Sequence, residues 1–464
     1  MIRSLSSRLF ASRPAYEPVE NDELLADPDR EDDVQATPQL DESPRQQFSW
    51  REYSVFLFLG VTMLWAWNMF IAAEPYFRRR FRNNPWAADH YEPSVLSVST
   101  VTNLLCVLAL AKMQKNASYP IRIAFSLLVL TIVFSLLAIS TIFFRGVSVG
   151  LYYIFVMTMV LSASFATGMN QNGVFAYVSG FGRPEYTQAI MLGQGVAGVL
   201  PSIVQIISNL PVPKVDEIDD DNGYANSALG YFLVAVFITV LSFMAFLNLM
   251  NRTAGLSWFK RELQQGADQP SAAGAETSRP HKSVSLWKLF LRLKSLALAV
   301  FMSFAVTMIF PVFTAQIQSA QDPATRSRLF DQEVFVPLGF LFWNLGDLGG
   351  RLFPLVPFFA NSTKRPRFLF LLSILRLAFI PLYLSCNIRG HGGSSPFANS
   401  DFLYLFVVQL GFGLTNGFLG SVCMMGAGQY VIVDEREAAG GFMSMMLVAG
   451  LATGSLLSFT VSNA

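Results

Sequence analysis

The chain has 464 residues, of which 52% are hydrophobic, 14% aromatic and only 14% charged. A soluble domain carries roughly 25% charged residues, so this composition excludes an ordinary soluble protein, and the net charge of +1 gives no reason to expect nucleic-acid binding. The apolar residues form nearly charge-free runs of about 18–25 residues, which are typical of membrane-spanning helices. The sequence therefore predicts an all-α polytopic membrane protein, with the lipid bilayer as its surroundings.

Residues 1–50 are predicted to form a disordered cytosolic tail, because they are rich in Asp, Glu, Ser, Pro and Arg and poor in apolar residues. Within this tail Glu20, Leu24 and Leu25 form an acidic dileucine pattern, E-x-x-x-L-L. Sorting adaptors recognise such patterns and direct membrane proteins to lysosomes or vacuoles, although so short a pattern also arises by chance. If it acts, it favours a vacuolar or lysosome-like membrane over the plasma membrane.

About eleven transmembrane helices are predicted, and a polar linker at residues 252–286 divides them six to five. We therefore expect an N-terminal six-helix bundle over residues 51–251 and a C-terminal five-helix bundle over residues 287–464, facing each other. The predicted spans are 52–76, 94–112, 121–144, 151–178, 185–209, 228–251, 287–315, 333–360, 367–386, 401–433 and 436–462.

Lys and Arg residues in the loops predict a cytosolic N-terminus and a lumenal or extracellular C-terminus, because this orientation places most of them inside. The N-x-[ST] sequons at Asn116, Asn251 and Asn361 then fall on the cytosolic side, where no glycosylation occurs. The cluster Arg78–Arg82 is the exception, and we expect it to pack on a lumenal loop or on lipid headgroups.

The first span places Trp67 and Asn68 in the middle of an apolar helix. Leu64, Trp67 and Ile71 share one helix face, and Asn68 lies at its edge. A tryptophan at this depth is not an interfacial residue, and stacking on a planar base contributes about 1–3 kcal/mol, so the face is a candidate substrate contact. The alternative is core packing, with Asn68 hydrogen-bonded to a neighbouring helix.

The fourth span contains three consecutive carboxamides, Asn170, Gln171 and Asn172. A carboxamide offers a donor and an acceptor side by side, which suits the edge of a base. At about 100° per residue the three cannot all face one cavity, so one or two are expected to face the substrate. The alternative is hydrogen bonding between helices, which must hold for at least one of them.

The fifth span is rich in small residues and includes Gly193, Gln194, Gly195 and Gly198. Small residues allow helices to approach closely in lipid, where no hydrophobic force drives their association. These positions are therefore predicted to serve helix packing or a moving helix contact. Contact between Gln194 and a ligand is the less favoured alternative.

The eighth span carries two formal charges in an apolar segment, Asp347 and Arg351, which lie one and two turns after Asn344. The three residues lie at i, i+3 and i+7, within about 60° of one helix face. Because a charge inside a bilayer costs roughly 2.5–3.5 kcal/mol, the pair indicates a binding site, and a structural salt bridge is the alternative. A base attached to a sugar would fit these groups, as would a hexose, an amino acid or an amine.

Together these residues resemble the equilibrative nucleoside transporter family. The resemblance rests on the W-N-M-F-I-A-A stretch from Trp67, on Y-T-Q-A-I-M-L-G-Q-G-V-A-G from Tyr186, and on N-x-x-D-x-x-x-R from Asn344. It covers the chain from about Trp50 onward, and the tail makes the chain most similar to a fungal, vacuolar-type member. Ala66 stands where the family usually has proline.

The resemblance implies a fold similar to the major facilitator fold and transport of nucleosides, and also nucleobases, by facilitated diffusion through alternating access. By position it implies a mid-membrane site with Trp67, Asp347 and Arg351. A fourth-span glutamine of the family aligns with Asn172, and Gln171 is the neighbouring substitute. No cofactor is implied.

Three other functions are weighed against this interpretation. A major facilitator-type sugar or drug carrier would share the architecture, and a non-transporting receptor or scaffold would leave Asp347 and Arg351 unexplained. An enzyme is not expected, because the spans contain no His/Cys/Asp constellation or phosphate loop. The well-separated cysteines likewise predict no metal site.

Overall fold

The computed structural model describes residues 48–114, 117–210, 221–265, 284–308, 310–322, 325–390 and 395–462. The described residues are nearly all helical, and an isolated β-bridge joins Ile317 to Ile388, so the predicted all-α class is confirmed. Glu20, Leu24 and Leu25 lie outside the described residues, as do Asn116 and residues 266–283 of the predicted linker.

The helices are numbered in chain order. Their bounds are α1 (Trp50–Ala72), α2 (Glu74–Phe81), α3 (Pro85–Lys112), α4 (Tyr119–Phe143), α5 (Val149–Gly180), α6 (Pro184–Asn209), α7 (Asp221–Gln265), α8 (Leu286–Thr307), α9 (Phe310–Gln316), α10 (Gln332–Leu352), α11 (Pro357–Ala360), α12 (Pro366–Leu375), α13 (Phe379–Leu384), α14 (Leu410–Gly426) and α15 (Arg436–Ser462). A 3₁₀ segment, Arg376–Ala378, joins α12 to α13, and a π-helical segment, Leu403–Gln409, precedes α14.

Ten helical segments of the described residues are long and apolar enough to cross a membrane. The predicted span that is missing from these ten is the eighth, which corresponds to α10; glycines and charged side chains lower the hydropathy of its 21 residues. This helix also ends at Leu352, before the predicted residue 360, because Pro354 and Pro357 follow and proline cannot donate to the helical ladder. The count of eleven stays a prediction.

Glycines allow the central helices to pack backbone against backbone. A Cβ atom on Gly193 of α6 would overlap the carbonyl of Leu57 in α1, and one on Gly417 of α14 would overlap the carbonyl of Asp347 in α10. A Cβ on Gly440 of α15 would likewise overlap a carbonyl of α5. Close helix contact of this kind is how small residues stabilise membrane bundles. It brings α6 against α1, α14 against α10 and α15 against α5.

Within the Arg78–Arg82 cluster, Arg80 packs on a loop. Arg80 donates from Nη2 to the carbonyl oxygens of Val147 (2.6 Å) and Phe144 (3.2 Å), in the connection between α4 and α5. Its guanidinium also lies over the ring of Tyr152, 5.1 Å from the centroid. The arginine thus stabilises a loop next to the bundle.

Candidate functional site

The centre of the site is the ion pair on α10. Arg351 donates from Nε to Oδ2 of Asp347 at 2.6 Å, and the two residues are only 5% and 4% exposed. They are four residues apart, so the helix itself holds them within reach of each other, as their spacing predicted. Removing one partner of a buried pair leaves an uncompensated charge and costs about 3–5 kcal/mol.

Arg351 also connects α10 to α6. Its Nη1 donates to the carbonyl oxygen of Met191 (2.7 Å) and to Oε1 of Gln194 (3.2 Å). In return, Nε2 of Gln188 donates to the carbonyl oxygen of Arg351 at 3.1 Å. The guanidinium therefore joins the two parts of the chain that lie before and after the linker.

The small residues of α6 allow this approach. A Cβ on Gly195 would lie 2.9 Å from Cδ of Arg351, and one on Gly198 would lie 2.6 Å from Oδ1 of Asn344. Asn344 itself donates to Oγ of Ser202 on α6 at 3.2 Å. Gly195 and Gly198 thus form the surface of α6 on which the polar face of α10 rests, and larger residues would separate the two helices.

Gln194 links three helices rather than two. While its Oε1 accepts from Arg351, its Nε2 lies 3.5 Å from Sδ of Met63 on α1. The sequence favoured a packing role for Gln194 over a ligand contact. In the structure Gln194 contacts α1 and also lies beside the ion pair, so it serves packing and belongs to the candidate site.

The second oxygen of Asp347 is bound by a residue that sequence reasoning missed. Asn416 of α14 donates from Nδ2 to Oδ1 of Asp347 at 2.7 Å, and it is 1% exposed. The available signal was an asparagine within an apolar, glycine-rich run, G-F-G-L-T-N-G, in the predicted tenth span. Both oxygens of the carboxylate are therefore hydrogen-bonded.

The polar residue of α1 has a structural partner. Asn68 donates from Nδ2 to the carbonyl oxygen of Ala197 on α6 at 2.8 Å. That carbonyl has no helical donor of its own, because the residue four positions later is Pro201. Asn68 thus replaces the hydrogen bond that the proline removes. This agrees with the alternative given above, in which Asn68 bonds to a neighbouring helix.

The other predicted contacts on α1 lie next to this junction. Leu64 and Trp67 are half-buried, and both pack against an apolar cluster of the first six spans. Cδ2 of Leu64 lies 3.9 Å from the point that a Cβ on Gly198 would occupy, and Oδ1 of Asn344 lies 2.6 Å from the same point, so Leu64 is close to the contact between Gly198 and Asn344. Ile71, one turn beyond Trp67, is 44% exposed.

The carboxamides of α5 are divided between different contacts. Asn172 accepts at Oδ1 from Nη1 of Arg122 on α4 (3.2 Å), and its Nδ2 lies 3.2 Å from where a Cβ on Gly441 of α15 would be. Gln171 is buried, and both side-chain polar atoms of Asn170 are buried with no hydrogen-bond partner among the described residues. At least Asn172 therefore serves contact between helices in this arrangement.

The sequence matches a known protein family over most of its length. The profile of the nucleoside transporter family matches residues 156–463. The chain belongs to this family. It is 30% identical to the nucleoside transporter FUN26 of Saccharomyces cerevisiae, over 93% of this chain and 88% of that protein. It is 26% identical to the human equilibrative nucleoside transporter 2, over 90% of this chain and 98% of that protein.

Solved structures agree on the fold of this nucleoside transporter. The proton:xylose symporter XylE is similar with a TM-score of 0.55 and 10% identity, covering 89% of each chain. The transporter FucP in its outward conformation is similar with a TM-score of 0.52 and 12% identity, covering 89% of this chain and 96% of that one. At such identities the likeness shows the major facilitator fold alone and carries no information about substrate.

Membership of this family decides between nucleoside transport and the alternatives that the sequence left open, a sugar or drug carrier and a receptor or scaffold. The chain is an integral multi-pass membrane protein of a transporter family, and its function is nucleoside transport. The polar face on α10 lies at the contact between helices from both parts of the chain.

Proposed function

We propose that the chain moves nucleosides by facilitated diffusion, through alternating access around a mid-membrane site built on Asp347 and Arg351. The observation that carries the proposal is the buried ion pair, whose members are held by α14 on one side and by α6 on the other. A charged pair in a bilayer is costly and is characteristic of a substrate pathway. No ATP is needed for such a cycle, because the substrate gradient drives it.

The chemistry of the pair suits the sugar end of a nucleoside. A carboxylate accepts hydrogen bonds from vicinal hydroxyl groups, and the guanidinium donates to a ring oxygen or a hydroxyl. Trp67 is proposed to stack on the base, with Leu64 and Ile71 beside it. Asn344, one turn from Asp347, completes the polar face.

The base end is assigned to Gln171 or Asn172. Asn172 is engaged by Arg122, so an Asn172 contact with the base must displace that arginine. Gln171 is the next position along the helix and lies 100° away around it. Asn68 is assigned to helix contact because it supplies the donor to Ala197. Nucleobases, which lack the sugar, are proposed as additional substrates.

Alternating access is proposed to occur between the six-helix bundle of residues 51–251 and the five-helix bundle of residues 287–464. The glycines of α6 supply a smooth surface at which these bundles can slide or tilt. The contacts that would have to change include those of Arg351 with Met191 and Gln194.

We further propose a vacuolar or lysosome-like membrane, with the N-terminus in the cytosol and the C-terminus on the lumenal side. The support is the distribution of Lys and Arg and the dileucine pattern Glu20, Leu24 and Leu25, which sorting adaptors would bind. The sequons at Asn251 and Asn361 then face the cytosol. Glycan detected on Asn251 or Asn361 by mass spectrometry would contradict this orientation.

The experiment that tests substrate class is uptake into proteoliposomes containing the purified protein. Labelled adenosine, uridine, adenine and glucose are supplied with and without a pH gradient. Saturable nucleoside uptake that needs no ATP is expected. Saturable glucose uptake without nucleoside uptake would instead support a sugar carrier, and a protein that transports none of these would support a receptor or scaffold.

A further inference from the structure

A second buried guanidinium lies in the same bundle as the ion pair. Arg376 is 1% exposed and lies in the 3₁₀ segment that joins α12 to α13. Its Nη1 donates to Oγ1 of Thr415 (2.8 Å) and to the carbonyl oxygen of Phe412 (3.0 Å), and its guanidinium lies 4.3 Å from the centroid of the Phe412 ring. A buried charge of this kind is costly and calls for a functional account.

Hydrogen bonds connect Arg376 to Asp347 through two intervening side chains. Nη2 of Arg376 donates to Oγ1 of Thr307 at 2.9 Å, and Thr307 donates to Oδ1 of Asn416 at 2.8 Å. Asn416 then donates from Nδ2 to Asp347 at 2.7 Å. We call these four residues the relay. Each comes from a different transmembrane segment of the C-terminal half.

The direction of the relay follows from the chemistry of its ends. A guanidinium has no acceptor, so Thr307 must accept from Arg376. Its one hydrogen is then shared between Oδ1 of Asn416 and the carbonyl oxygen of Ser303, each 2.8 Å from Oγ1. A carboxylate has no donor, so the amide nitrogen of Asn416 must face Asp347 and its oxygen must face Thr307. Ser303 donates to that same oxygen at 3.2 Å, which further fixes the amide.

We propose that Arg376 is a positioning residue for nucleoside recognition, which orients the carboxylate of Asp347 through Thr307 and Asn416. Arg351 sets one oxygen of the carboxylate, and the relay sets the other. Hydrogen bonds in a chain polarise one another in a low-dielectric interior, so the charge of Arg376 strengthens the bond that Asn416 donates. This inference rests on the proposed substrate site and adds to it a group that never touches the substrate.

The relay is tested by removing the hydroxyl of Thr307, whose side chain is buried. Thr307→Val keeps the shape of the side chain and interrupts the relay, and Thr307→Ser keeps the hydroxyl. Ser373→Ala is the matched control, because Ser373 is a fully buried hydroxyl one turn before Arg376 that donates within its own helix, to Phe370 (2.7 Å). Arg376→Lys, which keeps the charge but not the planar fork, is a second test that does not depend on Thr307→Val folding.

Equilibrium binding to the purified protein is measured with adenosine and with 2′,3′-dideoxyadenosine, which lacks the hydroxyls that Asp347 is proposed to bind. Thr307→Val and Arg376→Lys are expected to weaken adenosine binding about fivefold and to leave dideoxyadenosine binding unchanged. Thr307→Ser and Ser373→Ala are expected to bind both as the wild type does. The proposal would be overturned if Thr307→Val and Arg376→Lys weakened the binding of both ligands equally, or if they weakened the binding of neither.

A double-mutant cycle separates positioning from a structural effect. In an Asp347→Asn background, Thr307→Val is expected to cause no further loss of adenosine binding, because its effect passes through Asp347. Additive losses would overturn the relay and leave the substrate site intact. Wild-type adenosine binding by Asp347→Asn alone would overturn the proposed site, and the relay with it.

Discussion

The hydrogen bond from Asn68 to the carbonyl of Ala197 gives a sharp prediction, because Pro201 removes the helical donor that this carbonyl would otherwise have. Asn68→Ala leaves this carbonyl without its hydrogen-bond donor. An unsatisfied buried polar group costs about 1–3 kcal/mol, and in a bilayer no solvent replaces the lost donor. We therefore expect Asn68→Ala to lower the free energy of unfolding by about this amount.

The structure also predicts the rescue. Pro201→Ala restores a backbone N–H four residues after Ala197, so the helix can again supply the donor. The double variant Asn68→Ala/Pro201→Ala is expected to recover most of the stability that Asn68→Ala loses. The assay is thermal unfolding of the purified protein in detergent, with adenosine and dideoxyadenosine binding measured on the same samples.

Two results would refute this reasoning. One is that Asn68→Ala melts as the wild type does but loses nucleoside affinity, which would make Asn68 a substrate contact. The other is that Pro201→Ala gives no recovery in the double variant, which would mean that the carbonyl of Ala197 is not the group that Asn68 satisfies. Pro201→Ala alone serves as the control for any change in the bend of α6.

Three further predictions concern packing, stability and sorting. Gly195→Ala is expected to lower nucleoside affinity at least tenfold, because the added methyl group displaces Arg351. Gly349→Ala is the control, and it should leave the affinity unchanged because Gly349 has open space around it. The buried carboxylate of Glu435 pairs with Lys288 (2.9 Å) and with Arg292. Glu435→Gln is expected to lower the melting temperature because both cations lose their counter-charge, and an unchanged melting curve would contradict this. Replacing Leu24 and Leu25 by alanine should move a fluorescent fusion to the plasma membrane, and unchanged vacuolar fluorescence would refute the sorting role.

The sequence was sufficient to predict the ion pair but not its surroundings. The i, i+4 spacing of Asp347 and Arg351 depends only on helix geometry, and the structure confirms their contact. The bond from Asn416 joins residues that are 69 positions apart. It depends on how α14 packs on α10, and no local pattern contains that information.

The same limit explains why Asn68 was a candidate substrate contact. In the sequence, a lone asparagine in an apolar helix indicates a binding site and a helix partner equally well. The deciding residue, Pro201, lies in another transmembrane helix, and the pairing of α1 with α6 is a property of the fold. The end of α10, by contrast, could have been predicted locally from Pro354 and Pro357, which disfavour a continuous helix.

The central claim, that Asp347 binds the nucleoside, is tested most directly by adenosine uptake into proteoliposomes containing Asp347→Asn. Asp331→Asn is the matched control, because Asp331 is also ion-paired, to Arg326 at 2.8 Å, but lies in the connection before α10. We predict that Asp347→Asn, incorporated at wild-type amounts, loses uptake by about tenfold or more, while Asp331→Asn keeps it. Wild-type uptake by Asp347→Asn would contradict the account.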